Sequence, residues 1–256
     1  MMLTCMVMCA DPDLQTAHEV PNVADSNEAN TSIEVRYRLD WDWGQAEAHG
    51  EGWRVNNDRD FEVHVHEGYL TSYSLQLAPC TPDDLSQKRL IPHFVGVRKA
   101  FAGHGDVDDP SAWLTGIAEQ LATPVESELT PVSLSKGLYC RAHYLIAKAE
   151  TKAENLPEAF NMVGTSLYIQ GEAIDSGGAV YPFTVWSTLP IGQLMSWTEP
   201  VSVIDLSEGS VELTLTRDLG RFFDGVNFET MTSEAIEKTI LLGLAERSRV
   251  TLTQTP

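Results

Sequence analysis

Residues 61–66 read Phe-Glu-Val-His-Val-His and alternate strictly between apolar and polar side chains. This two-residue period is typical of a half-buried β-strand, with Phe61, Val63 and Val65 facing a core and the even-numbered residues facing outward. Residues 33–39, Ile-Glu-Val-Arg-Tyr-Arg-Leu, show the same pattern. The chain is therefore predicted to consist mainly of strands.

Strand signals continue along the chain after a break expected at Glu67-Gly68. Residues 175–178, Asp-Ser-Gly-Gly, are typical of a hairpin turn between two strands. The further predicted strands span residues 69–77, 138–147, 166–170, 180–186, 200–206, 210–216 and 249–253.

Two short helices are predicted. Asp109 is a suitable N-cap before Pro110, which predicts a helix over 111–121. Thr232 and Ser233 precede a second helix, predicted over 234–246. Because strands do not alternate with helices, the fold class is predicted to be all-β, mainly an antiparallel β-sandwich with two short peripheral helices.

The first part of the chain has a different character. Residues 10–30 are acidic and polar, with Pro12 and Pro21 and no periodicity, so residues 1–30 are expected to be a signal remnant and a mostly disordered tether. Residues 31–256 are predicted to form a single β-sandwich domain.

The N-terminal residues suggest export. Residues 1–8 are apolar, and Leu3-Thr4-Cys5 is similar to the end of a bacterial lipoprotein signal, whose cysteine receives lipid. Cys5 is the predicted lipid anchor, and the expected location is the periplasm, the outer membrane or the cell surface. The alternative is an accidental apolar start.

The charge balance restricts the partners. The chain has 17 Lys and Arg against 37 Asp and Glu, a formal net charge of -20. This excess argues against nucleic acid and anionic membrane surfaces and favours cations. The sequence has no apolar run of about 18 residues, so no transmembrane segment is predicted.

Enzyme motifs are missing from the sequence. It contains no GxSxG elbow, no GxxxxGK[ST] phosphate loop, no HExxH pair and no GxGxxG. No catalytic residue is predicted, and an enzyme is less favoured than a binding protein.

Cys80 and Cys140 lie at or near predicted strands and belong to no CxxC pair. In an exported protein they are expected to form one disulfide. In a cytosolic protein they would be buried thiols.

The seven histidines include a pair, His64 and His66, on one strand. They point to the same face about 7 Å apart, so both could bind one metal ion if a third ligand came from a neighbouring element. Two exposed strand histidines without a metal are the alternative.

Three further histidines are candidate ligands. His104 lies between two glycines, which let the backbone approach another surface, and His93 precedes it in the same loop region. His143 is expected on the polar face of the strand that carries Cys140. Each also has an ordinary interpretation as an exposed histidine. A calcium site at Asp106, Asp108 and Asp109 is less favoured, because the other ligands of a calcium loop are missing.

Tryptophans offer a different kind of site. Trp41, Trp43 and Trp53 are close in sequence and could stack a ligand, although core packing is the more common role of such residues.

Several short motifs resemble a known family. Residues 55–70 with Cys80, the Ala-Gly-His-Gly loop at 102–105 and the strand at 139–143 resemble exported bacterial lipoproteins. The tail at 211–226 is similar to the last strand and turn of periplasmic copper-binding proteins of the methanobactin-operon type. The resemblance spans residues 31–253.

That resemblance implies a secreted β-sandwich that binds copper through histidines. It also implies an oxidised tryptophan in some members and partner enzymes of the di-heme peroxidase type. Only histidines already identified from the residues themselves are carried over as ligands.

The sequence therefore predicts an exported metal-binding protein that acts in metal acquisition or handling, with copper favoured over zinc. The candidate ligands are His64, His66, His104, His143 and His93. The alternative is a non-metal surface module that binds a ligand or protein through Trp41, Trp43 and Trp53.

Overall fold

Residues 33–39 lie within the first strand, as their alternating pattern predicts. A computed structural model describes residues 32–80, 112–113, 115–135, 137–202 and 210–255. In it, β1 (Ser32–Asp42) buries Val35, Tyr37 and Leu39 and turns the residues between them outward. The two-residue period places one apolar face of this strand in the core.

The first sheet is built around β1. Strand β1 pairs parallel with β13 (Ser210–Asp218). Strand β14 (Arg249–Thr255) pairs antiparallel with the edge of β13 that faces away from β1. On its other side, β1 pairs antiparallel with β7 (Ser127–Glu128) and β8 (Val132–Ser135).

The second sheet is larger and is organised by the long strand β4 (Phe61–Pro79). Its other strands are β2 (Glu47–His49), β3 (Gly52–Asn56), β5 (Ala112–Trp113), β6 (Ile117–Gln120), β9 (Leu138–Ile146), β10 (Leu167–Asp175), β11 (Val180–Ser187) and β12 (Ile191–Ser202). The main strand order is β11-β10-β4-β3-β2. In addition, β5, β6 and β9 pair with β4, and β12 pairs with β9.

The apolar faces of the two sheets share one hydrophobic core, and a helix packs against it. Helix α1 (Ser233–Arg247) begins after Thr232, whose side chain accepts a hydrogen bond from the Ala235 amide. It buries Ile236, Ile240 and Leu244 at helical spacing. The predicted mainly antiparallel β-sandwich is confirmed, and so are this helix and the hairpin between β10 and β11.

Two sequence predictions were wrong. The segment predicted as a helix over 111–121 forms β5 and β6, so the described residues contain one helix rather than two. The break expected at Glu67-Gly68 does not interrupt β4. The strand expected at 200–206 belongs to β12, which begins at Ile191, and residues 203–206 lie outside the described residues.

The helix prediction failed because sheet pairing outweighs local propensity. Ile117–Gln120 forms β6 and pairs with β4, with Ser72 opposite Ile117 and Tyr69 opposite Gln120. As a strand, this segment buries Ile117, and the Leu121 that follows it, in the core.

A buried ion pair joins the two sheets. The Arg217 guanidinium on β13 donates two hydrogen bonds to the Glu119 carboxylate on β6, with Nη2 2.6 Å from Oε2. Ser72 Oγ lies 2.5 Å from Glu119 Oε1 and 2.7 Å from the Tyr144 hydroxyl. The guanidinium also lies 4.1 Å from the centre of the Trp41 ring.

The electrostatics of this pair keep the Arg217 guanidinium charged. Burial on its own would lower the pKa of Arg217, but the neighbouring Glu119 carboxylate raises it above the ordinary value. Removing one partner of such a buried pair leaves an uncompensated charge in the core, which is strongly destabilising.

The predicted disulfide is confirmed. Cys80, directly after β4, is bonded to Cys140 on β9, and the two cysteines are 60 residues apart in sequence. The bond closes a long loop whose residues 81–111 lie outside the described residues.

Replacing Glu119 by Leu should destabilise the protein by about 3–5 kcal/mol, because the Arg217 guanidinium would stay buried without its partner. The double variant Glu119→Leu/Arg217→Met should recover most of that loss. Urea denaturation measures both, with Arg249→Met as control, because the Arg249–Asp42 pair is exposed and should contribute less than about 1 kcal/mol. A Glu119→Leu protein as stable as the control would contradict the role assigned to the pair.

Reducing the Cys80–Cys140 bond should lower the free energy of unfolding by about 4 kcal/mol, because the unfolded chain regains the entropy of the closed loop. Denaturation with and without dithiothreitol measures this loss. The Cys80→Ser/Cys140→Ser variant is the control and should not respond to the reductant.

Candidate functional site

The outward face of the second sheet carries the predicted histidine pair. Phe61, Val63 and Val65 are buried, so Glu62, His64 and His66 of β4 project from the other face. His66 is exposed, whereas the His64 side chain is only 12% exposed because neighbouring polar side chains surround it.

Sheet register brings those neighbours to His64. Glu172 on β10 and Arg54 on β3 are its two cross-strand partners. His64 Nε2 lies 2.6 Å from Glu62 Oε1, and Nδ1 lies 3.7 Å from Glu172 Oε1. The His49 ring, at the end of β2, lies 4.8 Å from the His64 ring between centres. We call His49, Glu62, His64 and Glu172 the histidine cluster.

The charges in this cluster favour an ionised carboxylate. The hydrogen bond from His64 lowers the pKa of Glu62, against the opposing effect of partial burial. The charges of His64, Arg54 and His49 act in the same direction. Since ionised Glu62 only accepts hydrogen bonds, the Nε2 nitrogen of His64 donates to it.

A β-bulge shapes this part of the sheet. Gln170 on β10 pairs with Glu67, but the next residue, Gly171, pairs with Val65, so His66 is the extra residue on β4. The burial pattern changes there: odd-numbered residues are buried up to Val65, and even-numbered ones are buried from Gly68 to Ser74. Bulges re-aim side chains in this way and are common beside functional sites.

Glycines on both neighbouring strands permit close backbone contact at this point. A Cβ on Gly52 of β3 would lie 1.8 Å from the Val65 carbonyl oxygen, and one on Gly171 of β10 would lie 2.0 Å from that of His64. No other residue type would fit at either position without moving the strands.

The other predicted ligands lie elsewhere. His143 on β9 pairs with Gln76 of β4, ten residues beyond His66, which corresponds to about 33 Å along an extended strand. The structure therefore does not bring His143 to the histidine cluster. His93, His104, the three aspartates at 106, 108 and 109, and Cys5 lie outside the described residues.

Two of the three tryptophans proposed as a ligand platform are core residues. Trp53 is fully buried, and its indole nitrogen donates to the Leu121 carbonyl oxygen at 2.7 Å. Trp41 is buried beneath the Arg217 guanidinium, and Trp43 is partly buried against the core. Because Trp41 and Trp53 contribute to the core, the three residues do not form an exposed stacking surface.

Sequence reasoning missed three members of the histidine cluster. Glu62 could have been found from its position two residues before His64, on the same face of one strand. The positions of His49 and Glu172 beside His64 depend on which strands are neighbours, and no local sequence signal indicates strand order. Throughout the part of the chain that the structure describes, no group of three or more His, Cys, Asp or Glu side chains is arranged to hold a metal ion.

Comparison with known proteins gives one match. No family model matches the chain, and no curated protein matches it. A solved structure, MbnP from Methylosinus trichosporium, is similar over 88% of this chain and 100% of its own, with 9% sequence identity and a TM-score of 0.35. At that identity and TM-score the likeness supports no argument about function. No helix among the described residues is long and apolar enough to cross a membrane.

The surroundings of His143 predict a pH effect on stability. Burial lowers the pKa of His143, whose ring lies against Gly192. Between the lowered pKa and the ordinary value of about 6.5, the unfolded chain therefore binds a proton that the folded protein does not. Stability should thus decrease as pH falls from about 6.5 toward the lowered pKa, and increase as pH rises through that window.

Replacing His143 by Gln should remove this part of the pH dependence. The free energy of unfolding, measured by urea denaturation between about pH 5 and 7.5, is expected to vary less with pH in the variant than in the original protein. Identical pH profiles for the two proteins would show that His143 titrates normally in the folded state.

Proposed function

We propose that this is an exported protein that binds a transition metal ion through histidine, with copper favoured over zinc, and acts in metal acquisition or handling. The observation that supports the proposal is the close approach of two imidazoles, with ring centres 4.8 Å apart, beside a carboxylate hydrogen-bonded to one of them. Imidazole is a ligand that suits both copper and zinc.

The donor set can adapt to a metal ion with small movements. His64 Nε2 and Glu62 Oε1 are 2.6 Å apart and are joined by a hydrogen bond. Ligand bonds of about 2.0–2.2 Å require two donors on one tetrahedral ion to lie roughly 3.3 Å apart. Replacing the proton by a metal therefore requires Glu62 or His64 to move by less than about 1 Å. His49 is the next donor, with its ring 4.8 Å from that of His64 between centres, and the Glu172 carboxylate lies 3.7 Å from His64 Nδ1. His66 remains a predicted further ligand.

Copper is favoured over zinc for two reasons. At a given set of nitrogen and oxygen ligands, divalent copper binds more tightly than divalent zinc. The sequence motifs also resemble those of periplasmic copper-binding proteins.

The net charge of -20 adds a long-range attraction for cations that is weak at physiological salt. His93 and His104 remain predicted further ligands.

The Cys80–Cys140 disulfide supports export, because such bonds persist in oxidising compartments and are rare in the cytosol. A lipid anchor at Cys5 and a periplasmic or cell-surface location remain part of the proposal. So does a partner enzyme of the di-heme peroxidase type, which rests on the sequence resemblance.

Metal content tests the proposal directly. Protein purified from metal-supplemented medium should contain close to one equivalent of copper or zinc by plasma mass spectrometry, and little calcium. His64→Ala should lose the metal and His49→Ala should retain less of it, because each removes one imidazole donor. His143→Gln is the matched control and should keep its metal, since that residue lies far from the cluster.

Chelation provides a second measurement on the same protein. Removing the metal should lower the thermal stability of the original protein and leave that of His64→Ala unchanged. Metal-free original protein, or His64→Ala with full metal content, would reject the histidine cluster as the site.

A further inference from the structure

A row of aromatic side chains crosses the same outward face of the second sheet. Trp186 on β11 pairs with Tyr168 on β10, which in turn pairs with Tyr69 on β4. The row lies about 13 Å along β10 from Glu172 of the histidine cluster. Buried aromatics are ordinary, but Trp186 is 49% exposed at the outer end of the row.

A fourth ring lies across the row. Phe160, from the segment between β9 and β10, stacks on Tyr168 at 4.2 Å and on Tyr69 at 6.0 Å between ring centres, and it contacts Trp186 at 5.1 Å. We call Tyr69, Phe160, Tyr168 and Trp186 the aromatic patch. Tyr168 also packs in a small satellite core with Ala149, Ala153 and Met162, which holds the inner part of the patch in place.

A carboxylate lies at the patch because of the β-bulge. If β4 had no bulge, uninterrupted alternation would point Glu67 and Tyr69 to the core with Val65; the bulge turns both outward. The Tyr168 hydroxyl lies 3.3 Å from Glu67 Oε2 and 2.9 Å from Gln170 Oε1. These polar contacts fix the orientation of the Tyr168 ring.

The patch is electrostatically negative. Burial and, after it, the charge of Glu67 raise the pKa values of Tyr69 and Tyr168, so both stay neutral phenols. Glu158 belongs to the same segment as Phe160, and residues 156–163 surround an open depression of about 450 Å³. The faces of aromatic rings are themselves negative and attract cations.

We propose that the aromatic patch binds a small soluble organic cation, an alkylated ammonium compound, with the exposed face of Trp186 as the main contact and Glu67 as the counter-charge. Aromatic rings with a nearby carboxylate are a recurring means of recognising such cations. An anion would be repelled by Glu67, and a neutral ligand would gain nothing from it. The site is separate from the metal site proposed above and does not depend on it.

The test compares two ligands of nearly identical shape. Choline carries a quaternary nitrogen, and 3,3-dimethyl-1-butanol has a carbon in its place. Titration followed by NMR should show weak, saturable binding of choline that weakens as salt is added, and no comparable binding of the neutral alcohol. Equal binding of the two compounds, or no binding of choline, would overturn the proposal.

Variants of the patch residues test whether choline binds at the aromatic patch. Trp186→Leu should weaken choline binding by about tenfold, because the cation–π contact is lost. Glu67→Gln should weaken it several-fold, mainly at low salt, and Trp186→Phe should retain part of the affinity. Val180→Ala is the control and should bind choline normally, because Val180 is an exposed residue at the other end of β11.

Two further measurements separate the alternatives. His64→Ala should bind choline like the original protein, so failure of the metal proposal would leave this one intact. Phosphatidylcholine vesicles should not bind more tightly than free choline. Binding to vesicles alone, or unchanged choline binding in Trp186→Leu, would reject the soluble cation as the ligand of this patch.

Discussion

The Arg217–Glu119 ion pair is the contact on which the arrangement of the two sheets depends. Each charge is buried, and neither could remain in the core without the other. Because Arg217 belongs to β13 and Glu119 to β6, the pair links the sheet around β1 to the sheet around β4. A sandwich held by apolar contacts alone would have no comparable directional contact between its layers.

This pair also explains one feature that local sequence reasoning misjudged and one that it left open. Glu119 meets Arg217 from within a strand that pairs with β4, in a segment whose local signals favour a helix. Trp41 lies directly against the guanidinium, so it belongs to the core and not to a binding surface. In both cases a contact with Arg217, which is distant in the sequence, accompanies a structure that the local sequence pattern alone did not determine.

The β-bulge at His66 is the second feature with wide consequences. Before it, alternation directs Glu62 and His64 outward, toward His49 and Glu172. After it, the shifted alternation directs Glu67 and Tyr69 outward as well. The bulge thereby gives a single sheet face two chemically different regions, a histidine cluster and an aromatic patch. The break expected at Glu67-Gly68 would have placed these two regions on separate strands, whereas both lie on the uninterrupted strand β4.

The sequence by itself determined most of the longer strands, the hairpin between β10 and β11, helix α1 and the outward direction of His64 and His66. These follow from side-chain periodicity and capping, which act over a few residues. It also indicated the Cys80–Cys140 pairing, given export. Only the tertiary structure decided that His49 and Glu172 join His64, that His143 does not, and that Trp186, Tyr168 and Tyr69 form one row. Those neighbours depend on strand order and register, which arise from the packing of distant segments and leave no local mark in the sequence.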